Sequence, residues 1–385
     1  MTITLQKLCE NAKQLYGMRN VAGSQGMKNI VQWVHTLEDE RVSAFLHGGE
    51  LVFTTGIGQQ GTEWLVSFAR SLKAREASGL VINLGPYIEK LPEELCEYCN
   101  EVGFPLFIIP WETRLVDVTR DFCNRIIQNE KVEADVASTL KNLIFYPQEA
   151  ERYLPVLERH DFDLNQNCCV LCVDIRPEKE LGEQDREFLN LQIDRMFQRM
   201  PGSYGSFVTE QVRVFVLFGY SEEQRRELAG QFKALARGMA EGSRIYVSAG
   251  TGKERIEHIS RNYQKAMSLL KICERKERDY LSYDELDVQR ILLSVDEEKL
   301  LYEYVEETLE KLRKYDAENH TEYLQLLKYY LENDGSIQAV AEKLYVHRNT
   351  INYQLKRIKK ILGMEFNTLA ERFRLLFAFK IMEIL

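Results

Sequence analysis

The residues whose types and spacing suggest chemistry most directly lie near the end of this 385-residue chain, between Ser336 and Gly363. Ile351, Leu355, Ile358 and Leu362 recur at i, i+4, i+7 and i+11, the spacing of one apolar stripe on an α-helix. The opposite face centres on Asn349, Tyr353, Lys356 and Lys360, flanked by Asn352 and Arg357. Asn can pair bidentately with adenine, Arg with guanine, and Lys with phosphates, so this face suits the major groove of double-stranded DNA. Arg348, Asn349, Thr350, Asn352 and Tyr353 fall at the leading end of the helix, where base edges are met. Lys356, Arg357 and Lys360 are better placed for phosphates. Residues 336–364 hold six Lys/Arg against one acid, a local charge of +5.

A basic helix alone is often only a solvated face; what precedes it argues for more. Ser336, after Asn333-Asp334-Gly335, is a good N-cap, because its hydroxyl can accept from a free N–H of the first turn. Ile337, Val340, Ala341 and Leu344 then give a short helix one apolar face, and Tyr345-Val346-His347 makes the break. A helix over 322–331 opens this module. A last helix, about 368–385, is expected to close its core with Leu369, Phe373, Leu376, Phe379 and Ile381. Residues 322–385 closely resemble the C-terminal helix-turn-helix of the PucR/CdaR-type transcriptional regulators. The resemblance rests on Gly335-Ser336, Ala341, Leu344, His347-Arg348-Asn349-Thr350, Tyr353, Leu355, Arg357-Ile358 and Gly363. The module also looks like the helix-turn-helix of the factor for inversion stimulation.

The composition is that of a globular protein, 45% hydrophobic and 28% charged, long enough for two or three cores. The net charge of −9 is segregated: residues 294–318 hold nine acids against four bases, directly before the basic module. A DNA-binding chain needs a local basic face, not a basic average. The N-terminus has no apolar h-region, and no run approaches the ~18 apolar residues of a membrane span, so a cytoplasmic protein is expected. Eight cysteines then read as reduced thiols. Cys96/Cys99 and Cys169/Cys172 have C-x-x-C form, but the second pair lies in an apolar strand, where residues three apart face opposite ways. Buried thiols are the better reading, with no metal or cofactor.

Upstream, strand and helix signals alternate through residues 1–115. The series runs helix 4–16, strand 30–34, short helix 39–46, strand 51–54, helix 61–77, strand 79–83, helix 92–101 and strand 105–109. Such alternation argues for a largely parallel sheet. Thr54-Thr55-Gly56 begins a hydroxyl- and glycine-rich loop at a strand's C-terminal end, where open α/β sheets bind small polar ligands. Trp33 and His35 share one side of their strand and could line a pocket, although such a pair is commonly core. The region resembles the purine-catabolism-regulator domain of the same family through Val21-Ala22-Gly23, Trp33-Val34-His35 and Gly49-Glu50-Leu51-Val52-Phe53-Thr54-Thr55-Gly56. The resemblance implies a sensor for a purine breakdown product, such as a purine or ureide, or a related nitrogenous metabolite, without identifying the residues that touch it; Trp33, His35, Glu50, Thr54, Thr55 and Gly56 are the candidate ligand residues.

A long helical stretch over 112–160, with Leu115, Val118, Phe122, Ile126, Val132 and Val136 on one face, would either dimerise or pack on the sensor. A second α/β unit follows, with strands at 168–175, 206–209, 213–219 and 244–251 and helices at 185–199, 222–240 and 256–270. Its layout resembles the family's GGDEF-like domain, with Tyr263, Ala266 and Leu269 matching the helix after the last strand. The hairpin Phe207–Arg213 lacks the Gly-Gly-Asp/Glu-Glu-Phe that supplies metal-binding carboxylates in true nucleotide cyclases, so no enzyme activity is expected.

The expected architecture is multidomain α/β plus all-α. It comprises an α/β sensor (1–125), a helical connector (126–165), a degenerate GGDEF-like α/β domain (166–285), a helical linker (286–320) and a helix-turn-helix (321–385). The function it implies is effector-responsive transcription regulation by a homodimer or higher even oligomer on an operator. Control of purine or related nitrogen-compound catabolism is the leading reading. Sugar-diacid or other metabolite regulation and, further off, a nucleotide-handling enzyme are the alternatives.

Overall fold

A computed structural model describes residues 3–59, 61–239, 242–293, 295 and 298–385, without the side chains of Gln184 and Glu298. Ala240, at the end of one expected helix, and Asp296 and Glu297 of the acidic stretch lie outside the described residues. The chain divides into two compact units, Met1–Leu270 with Asp279–Leu281, and Lys271–Arg278 with Ser282–Leu385.

The first unit opens with two short helices, α1 (Leu5–Leu8) and α2 (Ala12–Tyr16), where the periodicity predicts one. Asn11 between them takes a left-handed φ of 64°, which a short polar side chain tolerates, and Leu15 is turned outward. Then come β1 (Arg19–Ala22), β2 (Trp33–Thr36), β3 (Glu50–Thr54), α3 (Trp64–Ala74), β4 (Gly79–Leu84), α4 (Glu93–Glu101) and β5 (Leu106–Pro110). The sheet order is β1-β5-β4-β3-β2. β2 through β5 are parallel, as the alternation predicts, while β1, which periodicity does not reveal, closes one edge antiparallel to β5. The strand expected at 30–34 begins only at Trp33; Ile30 instead forms an isolated bridge to Thr4.

The 31-residue helix α5 (Leu115–Phe145), about 46 Å long, follows. Val118, Phe122 and Ile126 pack into the core of the first sheet with Leu51, Phe53 and Phe107. Val136, Leu140, Leu143 and Ile144 are buried farther along. Beyond α6 (Ala150–Arg159) the second α/β domain contains β6 (Cys168–Arg176), α7 (Glu183–Gln198), β7 (Ser203–Thr209), β8 (Val212–Phe218), α8 (Glu222–Gly238), β9 (Arg244–Ala249), α9 (Ile259–Arg275) and β10 (Tyr280–Ser282). Its sheet order is β10-β9-β6-β8-β7. α5 lies so close to β7 that a Cβ on Gly205 would sit 2.4 Å from the Leu140 side chain. Phe197 stacks on Tyr204 and Phe215, with centroids 4.3 and 4.6 Å apart, at the centre of this core. α5 therefore packs on both sheets of its unit.

The second unit is helical: α10 (Gln289–Leu292), α11 (Glu298–Asn319), α12 (Tyr323–Glu332), α13 (Ile337–Lys343), α14 (Arg348–Leu362) and α15 (Leu369–Met382). Leu326, Leu327, Val340, Ile351, Leu355, Ile358, Leu375 and Phe379 form its core. α15 buries the expected Phe379 and Ile381, with Leu376 partly buried, but its first half differs: Leu369 and Phe373 are 78% and 60% exposed, and Leu375 and Ala378 are buried instead. Its charged residues, Glu371, Arg372, Arg374 and Lys380, are spread round the helix, so periodicity could not select the inward face. Among the described residues, no helix is long and apolar enough to cross a membrane.

One carboxylate fixes the turn between α11 and α12. Asp316 accepts from the Thr321 hydroxyl at 2.6 Å and from the Tyr323 and Leu324 amides at 2.9 and 2.8 Å. It thus caps the free N–H groups at the start of α12 from another helix. Asp316→Ala should lower the urea midpoint of this unit by about 1–2 kcal/mol equivalent without changing the slope; an unchanged midpoint would show the cap to be dispensable.

Candidate nucleic-acid interface and effector cleft

α14 is set by its apolar stripe. Ile351, Leu355 and Ile358 are buried, and Leu362 is partly buried. The eight residues Arg348, Asn349, Thr350, Asn352, Tyr353, Lys356, Arg357 and Lys360 are all exposed. The ends are fixed locally: the His347 Nδ1 accepts from the Asn349 amide at 3.3 Å, and Gly363 ends the helix at φ 66°. Ser336 caps α13 as its position predicts, its hydroxyl accepting from the Ala339 amide at 3.2 Å.

The cations of α14 are not equivalent. Lys359 is partly buried and held by Glu365 and Asn367, each at 3.1 Å. Lys356 and Lys360 form no ion pair among the described residues. The Arg357 guanidinium has the Tyr323 hydroxyl as a neighbour and lies 5.4 Å from the Tyr353 ring centroid, and these neighbours, Tyr323 foremost, raise its pKa further. One residue of this face escaped sequence reasoning. Tyr345, in the turn between α13 and α14, is 96% exposed with a left-handed φ of 57°. An aromatic residue is unfavourable there, so a bulky side chain held outward in that conformation points to a use for it. No periodicity signals such a position.

The first unit contains a cleft of about 800 Å³. Trp33 and His35 on the edge strand β2 and the loop Phe45–Gly48 form one wall. Asn129, Glu130 and Glu133 of α5 form the floor, and Glu187, Asn190 and Asp194 of α7 with Arg213 of β8 form the other wall. The two walls meet at a rim where Glu76 pairs with Arg195 and accepts from Gln192 Nε2 at 3.0 Å, and His47 Nδ1 lies 3.3 Å from Glu187.

The candidate ligand residues separate into two places. Trp33, His35 and Glu50 line the cleft, Trp33 and Glu50 at the amino-terminal ends of β2 and β3 and His35 two residues along β2, although the Glu50 carboxylate is engaged by the His47 and Gly48 amides at 2.7 and 3.0 Å. Thr54, Thr55 and Gly56 lie at the opposite end of β3, outside it. Their donors converge on Glu38: both hydroxyls bond its carboxylate at 2.9 and 2.8 Å, and the Thr55 and Gly56 amides at 3.0 and 2.8 Å. The loop has the anion-binding geometry its composition suggests, and a carboxylate of the same chain fills it. Glu38 is separated from the loop by 16 residues, too far for a motif to link them.

Asp194 is the most perturbed acid of the cleft. Burial pushes its carboxyl up to about 6; Arg213 opposes the shift, and Glu133 adds to it. Burial likewise pushes the Cys99 thiol up to about 12 and raises Cys168 and Cys172, so these cysteines are protonated at neutral pH. All eight cysteines are free thiols, and no three His, Cys, Asp or Glu side chains cluster as metal ligands among the described residues.

The architecture is that of a multidomain regulator, two α/β domains and a helical module with a helix-turn-helix. The family models agree with this division. The purine catabolism regulatory protein-like family matches residues 9–126, the GGDEF-like domain 151–272, and the PucR C-terminal helix-turn-helix domain 323–381. The chain belongs to the PucR/CdaR-type transcriptional regulator family. It is 28% identical over 134 residues to the proline-responsive transcriptional activator PutR of Bacillus subtilis, covering 34% of this chain and 33% of PutR. It is 30% identical over 121 residues to the DNA-binding transcriptional activator AdeR of that organism, 31% of this chain and 29% of AdeR. Its purine catabolism regulatory protein is 28% identical over 118 residues, 30% of this chain and 22% of that protein. The chain thus spans about a third or less of the curated relatives it matches. A regulator of polyketide synthase expression from Bifidobacterium adolescentis aligns at 17% identity with a TM-score of 0.30, covering 66% of this chain and 92% of that one.

The Asp194 environment makes a pH-dependent prediction. Its folded pKa lies above the ordinary carboxylate range, so the folded state binds this proton more tightly than the unfolded one. Stability is therefore lost as pH rises from about 4 through 6. Asp194→Asn should raise the thermal midpoint by a few degrees at pH 7.5, and the gain should vanish near pH 4. A gain independent of pH would overturn this account.

Proposed function

We propose that this chain is an effector-responsive DNA-binding transcription regulator. The observation that carries the reading is α14: a buried apolar stripe turns eight polar and basic side chains outward together. In this reading, Arg348, Asn349, Thr350, Asn352 and Tyr353 meet base edges, Lys356, Arg357 and Lys360 meet phosphates, and Tyr345 contacts the backbone from the preceding turn. Symmetric operators need two modules about 34 Å apart, which supports a homodimer or higher even oligomer. The hairpin joining β7 and β8 carries Glu210-Gln211 at its tip in place of a metal-binding motif, which supports a non-enzymatic central domain.

The N-terminal unit is the effector sensor in this reading, and the cleft walled by Trp33 and His35 is its site. A purine or ureide effector is suggested by the family description of residues 9–126. A regulator of sugar-diacid or other metabolite use remains the second reading, because one relative is described as proline-responsive and another as a purine catabolism regulator.

Fluorescence anisotropy on a selected operator and on random duplex tests the DNA-binding face. Lys356→Ala should weaken both and flatten the salt slope by about one unit, whereas Asn349→Ala should reduce discrimination by about 1–3 kcal/mol. Equal losses on both DNAs from both variants would contradict these roles. Tyr345→Gly separates strain from function. It should raise stability by roughly 1 kcal/mol by relieving the left-handed backbone while weakening binding to both duplexes. Unchanged affinity would remove Tyr345 from the interface.

A further inference from the structure

The cleft lies on a helix face that is apolar on both sides of it. Successive stripe residues of α5 are Val118, Phe122 and Ile126, then Asn129 and Glu133, then Val136, Leu140 and Ile144. Steps of three or four keep all eight on one side of the helix. The outer six are buried in the cores of the two α/β domains, and the polar pair is where the stripe passes beneath the cleft. An apolar pair there would cost the fold nothing evident, so the chain keeps an amide and a carboxylate where its packing pattern calls for neither.

The surrounding charge is mostly acidic. Five carboxylates line the cleft, those of Glu50, Glu130, Glu133, Glu187 and Asp194, against the single guanidinium of Arg213 and two histidines. The Arg213 Nη1 is already bound to Asn190 at 2.7 Å. The walls also offer two aromatic faces to the opening, Trp33 at 49% and Phe45 at 79% exposure. Acidic walls around a low-dielectric recess concentrate cations, and exposed aromatic faces attract an ammonium group. A urate or allantoate anion would meet repulsion from the same walls.

We propose that this cleft binds a small molecule carrying a protonated amine, its ammonium group held between Glu133 and Asp194 and against Trp33. This deepens, and rests on, the reading of the first unit as the effector sensor. The site spans the wall of one α/β domain, the α5 floor and the wall of the other, so an amine placed there would bind both domains of the unit at once. Glu133 lies near enough to Asp194 to disfavour its ionised form, and a cation between the two carboxylates relieves that cost.

The test uses the purified full chain in a thermal-shift screen followed by calorimetric titration, without DNA. The panel contains the twenty amino acids, putrescine and spermidine against urate, allantoin and allantoate. At least one amine should raise the midpoint, and Glu133→Gln and Trp33→Ala should each weaken its binding by roughly tenfold or more. Trp33→Ala should retain the wild-type melting curve without ligand, because Trp33 belongs to no apolar core, and Glu133→Gln should melt at or slightly above the wild type, because it removes a carboxylate that disfavours the Asp194 charge. Stabilisation by urate, allantoin or allantoate that depends on Trp33 would keep the sensor reading and overturn the amine. Amine binding indifferent to both substitutions, or no shift from any amine, would overturn the proposal. The anisotropy of the unliganded chain on operator DNA is independent of all these outcomes, so failure of the regulator reading shows separately.

Discussion

The first unit depends on one helix being apolar along one side for most of its length. The α5 stripe supplies Val118, Phe122 and Ile126 to the core of a mostly parallel sheet and Val136, Leu140 and Ile144 to the face of an antiparallel one. Two α/β domains that share a helix cannot be repacked independently, since any rotation of α5 moves both stripes. The close approach at Gly205 shows how little room that packing leaves. The cleft follows from the same constraint, because the sheets are held apart by the span of helix that neither covers.

The helical unit solves a different problem with the same physics. α14 is short and basic, and it is positioned only by what it buries: three fully buried aliphatic side chains and one partly buried. Once these face α11, α12 and α13, the polar side has no freedom to face anything but solvent. Local bonds then trim the geometry, through Ser336 at the start of α13, His347 at the start of α14 and Asp316 across to α12. Lys359 is turned inward to Glu365 and Asn367, so charge alone does not decide which cations of the helix stand free.

Several sequence-based expectations stand because they rest on repeated spacing. The α14 stripe, the βα alternation before residue 110 and the β7–β8 hairpin each have several residues agreeing on one period. Others depended on a single residue or on a distant partner. Asn11 alone breaks the first helix, β1 is specified by pairing with β5 some 86 residues away, and α15 lacks a polar side that would orient it. The Thr54-Thr55-Gly56 loop is legible as an anion cradle, but its occupant, Glu38, is brought in by the fold.

The sequence by itself determined most of the elements, the three-part family make-up and the outward polar face of α14, because periodicity and local capping need only near neighbours. Tertiary structure decided which polar groups are free to act. It tied Thr54, Thr55 and Gly56 to Glu38, set Trp33 and His35 across from Glu133 and Asp194, and turned Tyr345 outward against its backbone preference. Such outcomes depend on contacts between residues tens to hundreds of positions apart. Spacing along the chain carries no record of them.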